Sequence, residues 1–170
     1  MNAKIEGLVS DSNGKPLRVY HGSEAPTLLN EDRDTFFSVT PNVANAYALR
    51  YNQHYSDGSL VFKAYISMKN PLITTREFLT NYALNNVDFN HVNYNHVESF
   101  EEKVEKFADN FEDSFIEERD IILNYAKENG YDGLILPEDS LPVECLEGDW
   151  DLQPSYVVFS SKQIHFHLPT

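Results

Sequence analysis

The chain has one cysteine, Cys145, and only 13 lysines and arginines against 27 aspartates and glutamates. A lone cysteine excludes an internal disulfide and a cysteine-based zinc site. The deficit of basic residues leaves a formal charge of −14, which disfavours nonspecific binding to nucleic acid or an anionic membrane, since phosphate contacts need Lys and Arg. A partner with a basic surface suits that charge, as does simple solubility. No stretch approaches the roughly 20 apolar residues of a membrane span. The opening Met1-Asn2-Ala3-Lys4-Ile5-Glu6 also lacks the apolar centre of a signal peptide. The expectation is a protein of a reducing cytoplasm with no membrane attachment.

What is present is aromatic: eleven Phe and ten Tyr within a 41% hydrophobic fraction. That supports a folded core, and the absence of repeats or a long linker suggests one domain over residues 1–170. Ile5–Val9, the turn signal Asn13-Gly14-Lys15-Pro16 and Leu17–Tyr20 read as strand, turn, strand. Phe36–Ser38 is a short strand, and Pro41 opens a helix to about Tyr51. Leu60–Met68 is a strand ending at Asn70-Pro71.

Thr74 or Thr75 caps a helix through Tyr82, and Asn85–His96 reads as a loop. Ser99 with Glu102 forms a capping box for a helix with Phe100, Val104, Phe107, Phe111 and Phe115 on one face. A second run, about Glu117–Glu128, ends at the C-cap signal Asn129-Gly130. Tyr131–Pro137 is a buried strand, Glu138–Pro154 a long acidic loop, and Tyr156–Phe159 a strand that Gln163–His167 extends or pairs with. The fold class is α+β.

Two places invite chemistry. In Val19-Tyr20-His21-Gly22-Ser23, a histidine at a strand end can bond a hydroxyl through one ring nitrogen while the protein holds the other. The glycine after it lets a ligand approach the backbone. The plain alternative is a strand entering a turn with an exposed histidine. Tyr47, with Phe36 or Phe37, can form an aromatic slot for a planar ring, though a core tyrosine is the default on an amphipathic helix. The pair His165 and His167 lacks further ligands for a metal site, and none is assigned. Glu112-Asp113 and Glu117-Glu118 read as a solvated face.

In order along the chain stand Gly14–Leu17, Tyr20-His21-Gly22-Ser23, Phe36-Phe37-Ser38 with Ala44-Asn45-Ala46-Tyr47-Ala48, Asn70–Leu72, Gly130–Gly133 and Tyr156–Ile164. That order resembles the ADP-ribosyltransferase superfamily, in its His-Tyr-Glu branch of poly(ADP-ribose) polymerases and diphtheria-toxin-like enzymes. The local texture is closest to transferases of phages and polyvalent proteins. The similarity covers most of the chain except Asn85–Lys127 and the acidic loop.

The resemblance implies a split antiparallel β-sheet core with flanking helices and a helical insertion at about 75–129. It implies NAD as co-substrate, a macromolecular acceptor, and displacement of nicotinamide through an oxocarbenium-like state; the net charge favours a protein as that acceptor and leaves a nucleic acid open as the alternative. His21 would hold the adenine-side ribose and Gly22 the nicotinamide carboxamide, with Ser23 nearby. Tyr47 would stack on nicotinamide, with Phe36 closing the slot and Phe37 and Ser38 alongside.

The chain departs from the pattern at Ser155, where the family places its glutamate. Glu147, Asp149, Asp151 and Gln153 precede it and offer replacements. Gln163, matching the family's closing Gln-Ile, reads as mainly structural. The resemblance therefore implies a mono-ADP-ribosyltransferase rather than a chain-elongating one. A catalytically impaired NAD- or ADP-ribose-binding module and an NAD glycohydrolase stay open as alternatives.

Overall fold

In chain order the elements are β1 (Val19–Ser23), β2 (Thr35–Ser38), α1 (Pro41–Tyr51), β3 (Leu60–Ile66), β4 (Leu72–Ile73), α2 (Arg76–Asn86), α3 (Phe100–Glu112), α4 (Ile116–Glu128), β5 (Gly133–Asp139), β6 (Gln153–Val158) and β7 (Ile164–His165). They come from a computed structural model that describes residues 5–23, 33–51, 60–89, 94, 97, 99–112, 116–139 and 153–168. The strands form one sheet in the order β4-β5-β6-β2-β1-β3-β7. Every pairing is antiparallel except β4 with β5. The class is α+β, as the sequence indicates. The parallel edge pair has only two residues in β4, too few for a periodicity signal.

The sheet carries a core on each face. On one, α2, α3 and α4 cover Leu72, Leu134, Leu136 and Val157 with Leu79, Phe107, Phe111 and Ile122. On the other, Val19, Phe37, Ala64, Ile66, Tyr156 and Val158 pack with Met68 and Ile164. Fully burying Phe107 or Phe111 contributes roughly 2 kcal/mol each. Thr75 caps α2, its Oγ1 accepting from Phe78 N at 3.2 Å. Ser99 and Glu102 form the expected box, at 3.1 and 3.3 Å. Gly130, at φ 75°, ends α4 in the left-handed region.

Several expectations are corrected. Ile5–Val9 forms no strand: Leu8 and Ser10 make only isolated bridges, to Ser67 and Pro16. The Asp11 carboxylate accepts from Asn13 N and Lys15 N, both at 2.9 Å, and Gly7, at φ 73°, breaks the extended backbone that a strand over Ile5–Val9 needs. Helix α2 runs on through Asn85 and Asn86, whose side chains bond Asn81 O and Tyr82 O and so sustain it. Strand β1 continues past Tyr20, pairing His21 with Phe62 and Gly22 with Val61 on β3. His21-Gly22 therefore lies within a strand rather than closing one.

Phe100, expected on the buried stripe, is 47% exposed. Phe115 lies outside the described residues. Glu118 is not on a solvated face: it is 3% exposed, and its carboxylate accepts from Tyr94 Oη at 2.6 Å and Asn110 Nδ2 at 2.8 Å. Burial, and then this bond to Glu118, hold the Tyr94 hydroxyl in its protonated form. Glu112, with Glu105 and Asp109, converges on Arg76 of α2, so part of the acidic face of α3 ties two helices together.

Gln163 is the structural residue expected. Its Oε1 accepts from Phe159 N (3.1 Å) and Ser160 N (3.0 Å), while Nε2 donates to Ser67 O (3.0 Å) and Asp132 O (2.9 Å). One side chain thus joins the end of β6 to the end of β3 and the start of β5. Gln163→Leu would leave these backbone groups without partners, and a loss of about 3 kcal/mol is expected in urea unfolding.

Candidate active site

The site is built around the seam between β1 and β2. These strands share one register pair, Tyr20 with Ser38, and Ser38 pairs in turn with Ser155 of β6. Beyond Tyr20, the registered partners of His21, Gly22 and Ser23 are on β3 alone. The His21 side chain crosses to β2 instead: Nδ1 lies 2.7 Å from the Phe36 carbonyl, and only a protonated Nδ1 can donate there. Its ring is 5.6 Å from that of Phe37.

Nε2 of His21 is then the ring's acceptor, and it is buried without a partner. Burial holds the imidazole below its ordinary pKa, opposed by the Phe36 carbonyl and assisted by the Arg33 charge. The neutral tautomer with a bare Nε2 is the form at pH 7.

At Gly22 the structure adds a packing requirement to the sequence expectation. A Cβ there would overlap the carbonyl oxygen of Ala44 and lie 2.9 Å from Ala48 N. The missing side chain thus admits α1, whose backbone rests directly on β1. Tyr47 belongs to the turn of α1 between Ala44 and Ala48, the turn that meets Gly22; its ring lies outside the described residues. Ser23 is buried at the end of β1.

Phe36 and Phe37 point to opposite faces, as strand neighbours must. Phe37 is core and supports His21. The Phe36 ring packs on the helical side, where the Arg119 guanidinium carbon lies 5.6 Å from it and 5.6 Å from Phe111. Ser38 and Ser155 share the Phe36 face in one cross-strand row and are both buried. Ser38 Oγ donates to Thr40 O at 2.8 Å, just ahead of α1. The structure therefore joins His21, Phe36 and Phe37 by contact, and Ser38 with Ser155 by register. The rings of His21 and Phe37 lie on one face of the sheet, and Phe36, Ser38 and Ser155 on the other.

Of the replacements for the missing glutamate, Gln153 is described; Glu147, Asp149 and Asp151 lie outside the described residues. Gln153 begins β6 on the same face as Ser155, and its Oε1 is buried without a partner. Orphaned buried polar atoms are rare in folded proteins and call for an explanation such as a ligand. Among the described residues there are five: His21 Nε2, Arg33 Nε, Thr40 Oγ1, Gln153 Oε1 and, away in α3, Asn110 Oδ1. Four of the five thus sit on β1, β6 or the segments flanking β2. Sequence reasoning passed over Arg33 and Thr40, because the burial of a single side-chain atom has no signature in one sequence.

His165 bonds Ser67 Oγ at 3.0 Å. No group of three possible metal ligands occurs among the described residues, nor does any of their helices have the length and apolarity to cross a membrane.

The α+β fold thus carries a strand-borne His-Gly at a seam and a tyrosine-bearing helix packed on the glycine. The family described as ADP-ribosyltransferase in polyvalent proteins matches residues 11–166, and the chain belongs to it. Searches of curated proteins and of solved structures each returned no significant match. Membership supports an ADP-ribosylation function, and the family implies NAD as co-substrate. The residues suit a nucleotide: an unpartnered Nε2 acceptor is what a ribose hydroxyl requires, and Oε1 of Gln153 can accept a second hydroxyl.

Proposed function

We propose that the chain is an NAD-dependent mono-ADP-ribosyltransferase that modifies a macromolecular acceptor, a protein rather than a nucleic acid, in the cytoplasm. The carrying observation is His21, locked by the Phe36 carbonyl into the tautomer that aims a bare Nε2 acceptor into a buried position. Bound NAD supplies the ADP-ribosyl group and releases nicotinamide. His21 accepts a ribose hydroxyl, and Phe36 O keeps its tautomer fixed. Gly22 sets α1 against the seam and thereby brings Tyr47 to it as the stacking residue, with Phe36, Ser23 and Ser38 alongside and Phe37 supporting the His21 ring from the core. Ser155 bonds a hydroxyl without supplying charge, and Gln153 Oε1 adds an acceptor beside it. The ligand then lies across the seam, because His21 and Ser155 belong to opposite faces. The domain spans residues 1–170, with α2 to α4 as its helical insertion.

Labelled NAD incubated with the protein and a cell lysate tests this. Label should pass to a protein, and His21→Ala should weaken NAD binding about tenfold, the worth of one good hydrogen bond. Tyr47→Ala should weaken it comparably through lost stacking. Free ADP-ribose without label transfer would mean hydrolysis, and binding without turnover would mean a binding module. No NAD binding at millimolar concentration would overturn the assignment.

A pH titration gives a second check. The acceptor Nε2 is lost on protonation, so affinity should hold at pH 7 and above and fall in acid. Because burial lowers the His21 pKa, that fall should come below the ordinary histidine range.

A further inference from the structure

Among the orphaned buried atoms, one belongs to a permanent cation: Nε of Arg33. Arg33 lies just ahead of β2, and its carbonyl accepts from Thr35 Oγ1 at 3.3 Å. The next residue, Asp34, turns toward α4, where its carboxylate meets Lys127 Nζ at 2.6 Å. Arg33 itself stands at a bend three residues before Phe36, whose carbonyl holds the His21 ring. The Arg33 charge is felt at the His21 ring, where it opposes protonation.

This end of the seam thus holds two complementary vacancies: a charged N–H donor lacking an acceptor, and an imidazole nitrogen lacking a donor. A buried guanidinium N–H is costly to leave unmade. A ribose hydroxyl satisfies the histidine alone, whereas a ribose carrying phosphate satisfies both, its hydroxyl donating to Nε2 and a phosphate oxygen accepting from Arg33. In a chain of net charge −14 an anionic ligand is repelled unless a local cation answers it. We propose that Arg33 is the phosphate-reading partner of His21 and gives the site its selectivity for a nucleoside diphosphate over a nucleoside. This rests on the NAD-site reading above and says which part of the dinucleotide is held at this end.

Calorimetric titration of wild type, Arg33→Met and Arg33→Lys with adenosine, ADP and NAD tests it. Wild type should bind ADP at least about tenfold more tightly than adenosine, as one charge-assisted hydrogen bond warrants. Arg33→Met should abolish that preference while leaving adenosine affinity unchanged, which also shows that the variant is folded. Arg33→Lys should restore it in part, since it keeps the charge without the planar fork. Equal wild-type affinity for ADP and adenosine would overturn the proposal, and so would a preference that survives in Arg33→Met. If neither adenosine nor ADP nor NAD binds wild type, the NAD-site reading fails and this inference fails with it.

Discussion

Gly22→Ala is expected to cost about 3 kcal/mol or more, through overpacking that no rotamer can relieve. The added methyl meets backbone, the Ala44 carbonyl and the Ala48 nitrogen, rather than a flexible side-chain end. Gly22 is not at positive φ, so replacing it by alanine would otherwise help slightly by restricting the unfolded chain. The whole loss is therefore steric. It should appear as a fall in Tm of roughly 10 °C for a chain of this size. NAD affinity should fall with it, because α1 must withdraw from β1 and take Tyr47 along. Gly14→Ala is the contrasting control: a Cβ there meets nothing within 4 Å, and the cost is only that of φ 73°, about 1 kcal/mol. An unchanged Tm for Gly22→Ala would mean that α1 does not rest on β1.

Ser155→Glu should raise the transfer rate by about 10²-fold, the usual worth of a charged group aimed at charge that develops in the transition state. It should also destabilise the fold. Ser155 is 7% exposed in a row with Ser38 and Leu136, so a carboxylate there is desolvated at a cost of about 1–3 kcal/mol. A faster but less stable variant is the expected result, measured by single-turnover label transfer alongside thermal unfolding. A variant that binds NAD as wild type does, with no gain in rate, would place the missing charge elsewhere.

Much of the scaffold was legible in local chemistry. The caps at Thr75 and Ser99, the stop at Gly130 and the start of α1 at Pro41 all rest on interactions within a few residues. The Val104, Phe107 and Phe111 stripe was readable because helical spacing alone brings those residues to one face. Glu118 was misread because its partners, Tyr94 and Asn110, reach it only when α3 and α4 pack. Phe100 keeps the right spacing yet remains exposed, since periodicity marks a face and not how far the covering layer extends.

The candidate site divides the same way. His21, Gly22, Tyr47 and the serine at position 155 were visible as an ordered set of motifs, and that order alone pointed to the family that residues 11–166 match. Their physical roles were not visible. Gly22 was read as room for a ligand, and the structure adds that the packing of α1 also requires a glycine there. The tautomer of His21 depends on a carbonyl fifteen residues away in sequence.

By itself the sequence determined the α+β class, the type and order of most elements and the residue types available for chemistry, because these follow from short-range propensity and pattern. Only the tertiary structure decided which atoms of the described residues were left buried without partners, Nε2 of His21, Nε of Arg33 and Oε1 of Gln153 among them. Burial belongs to the packed sheet and helices together, and no single stretch of chain contains it.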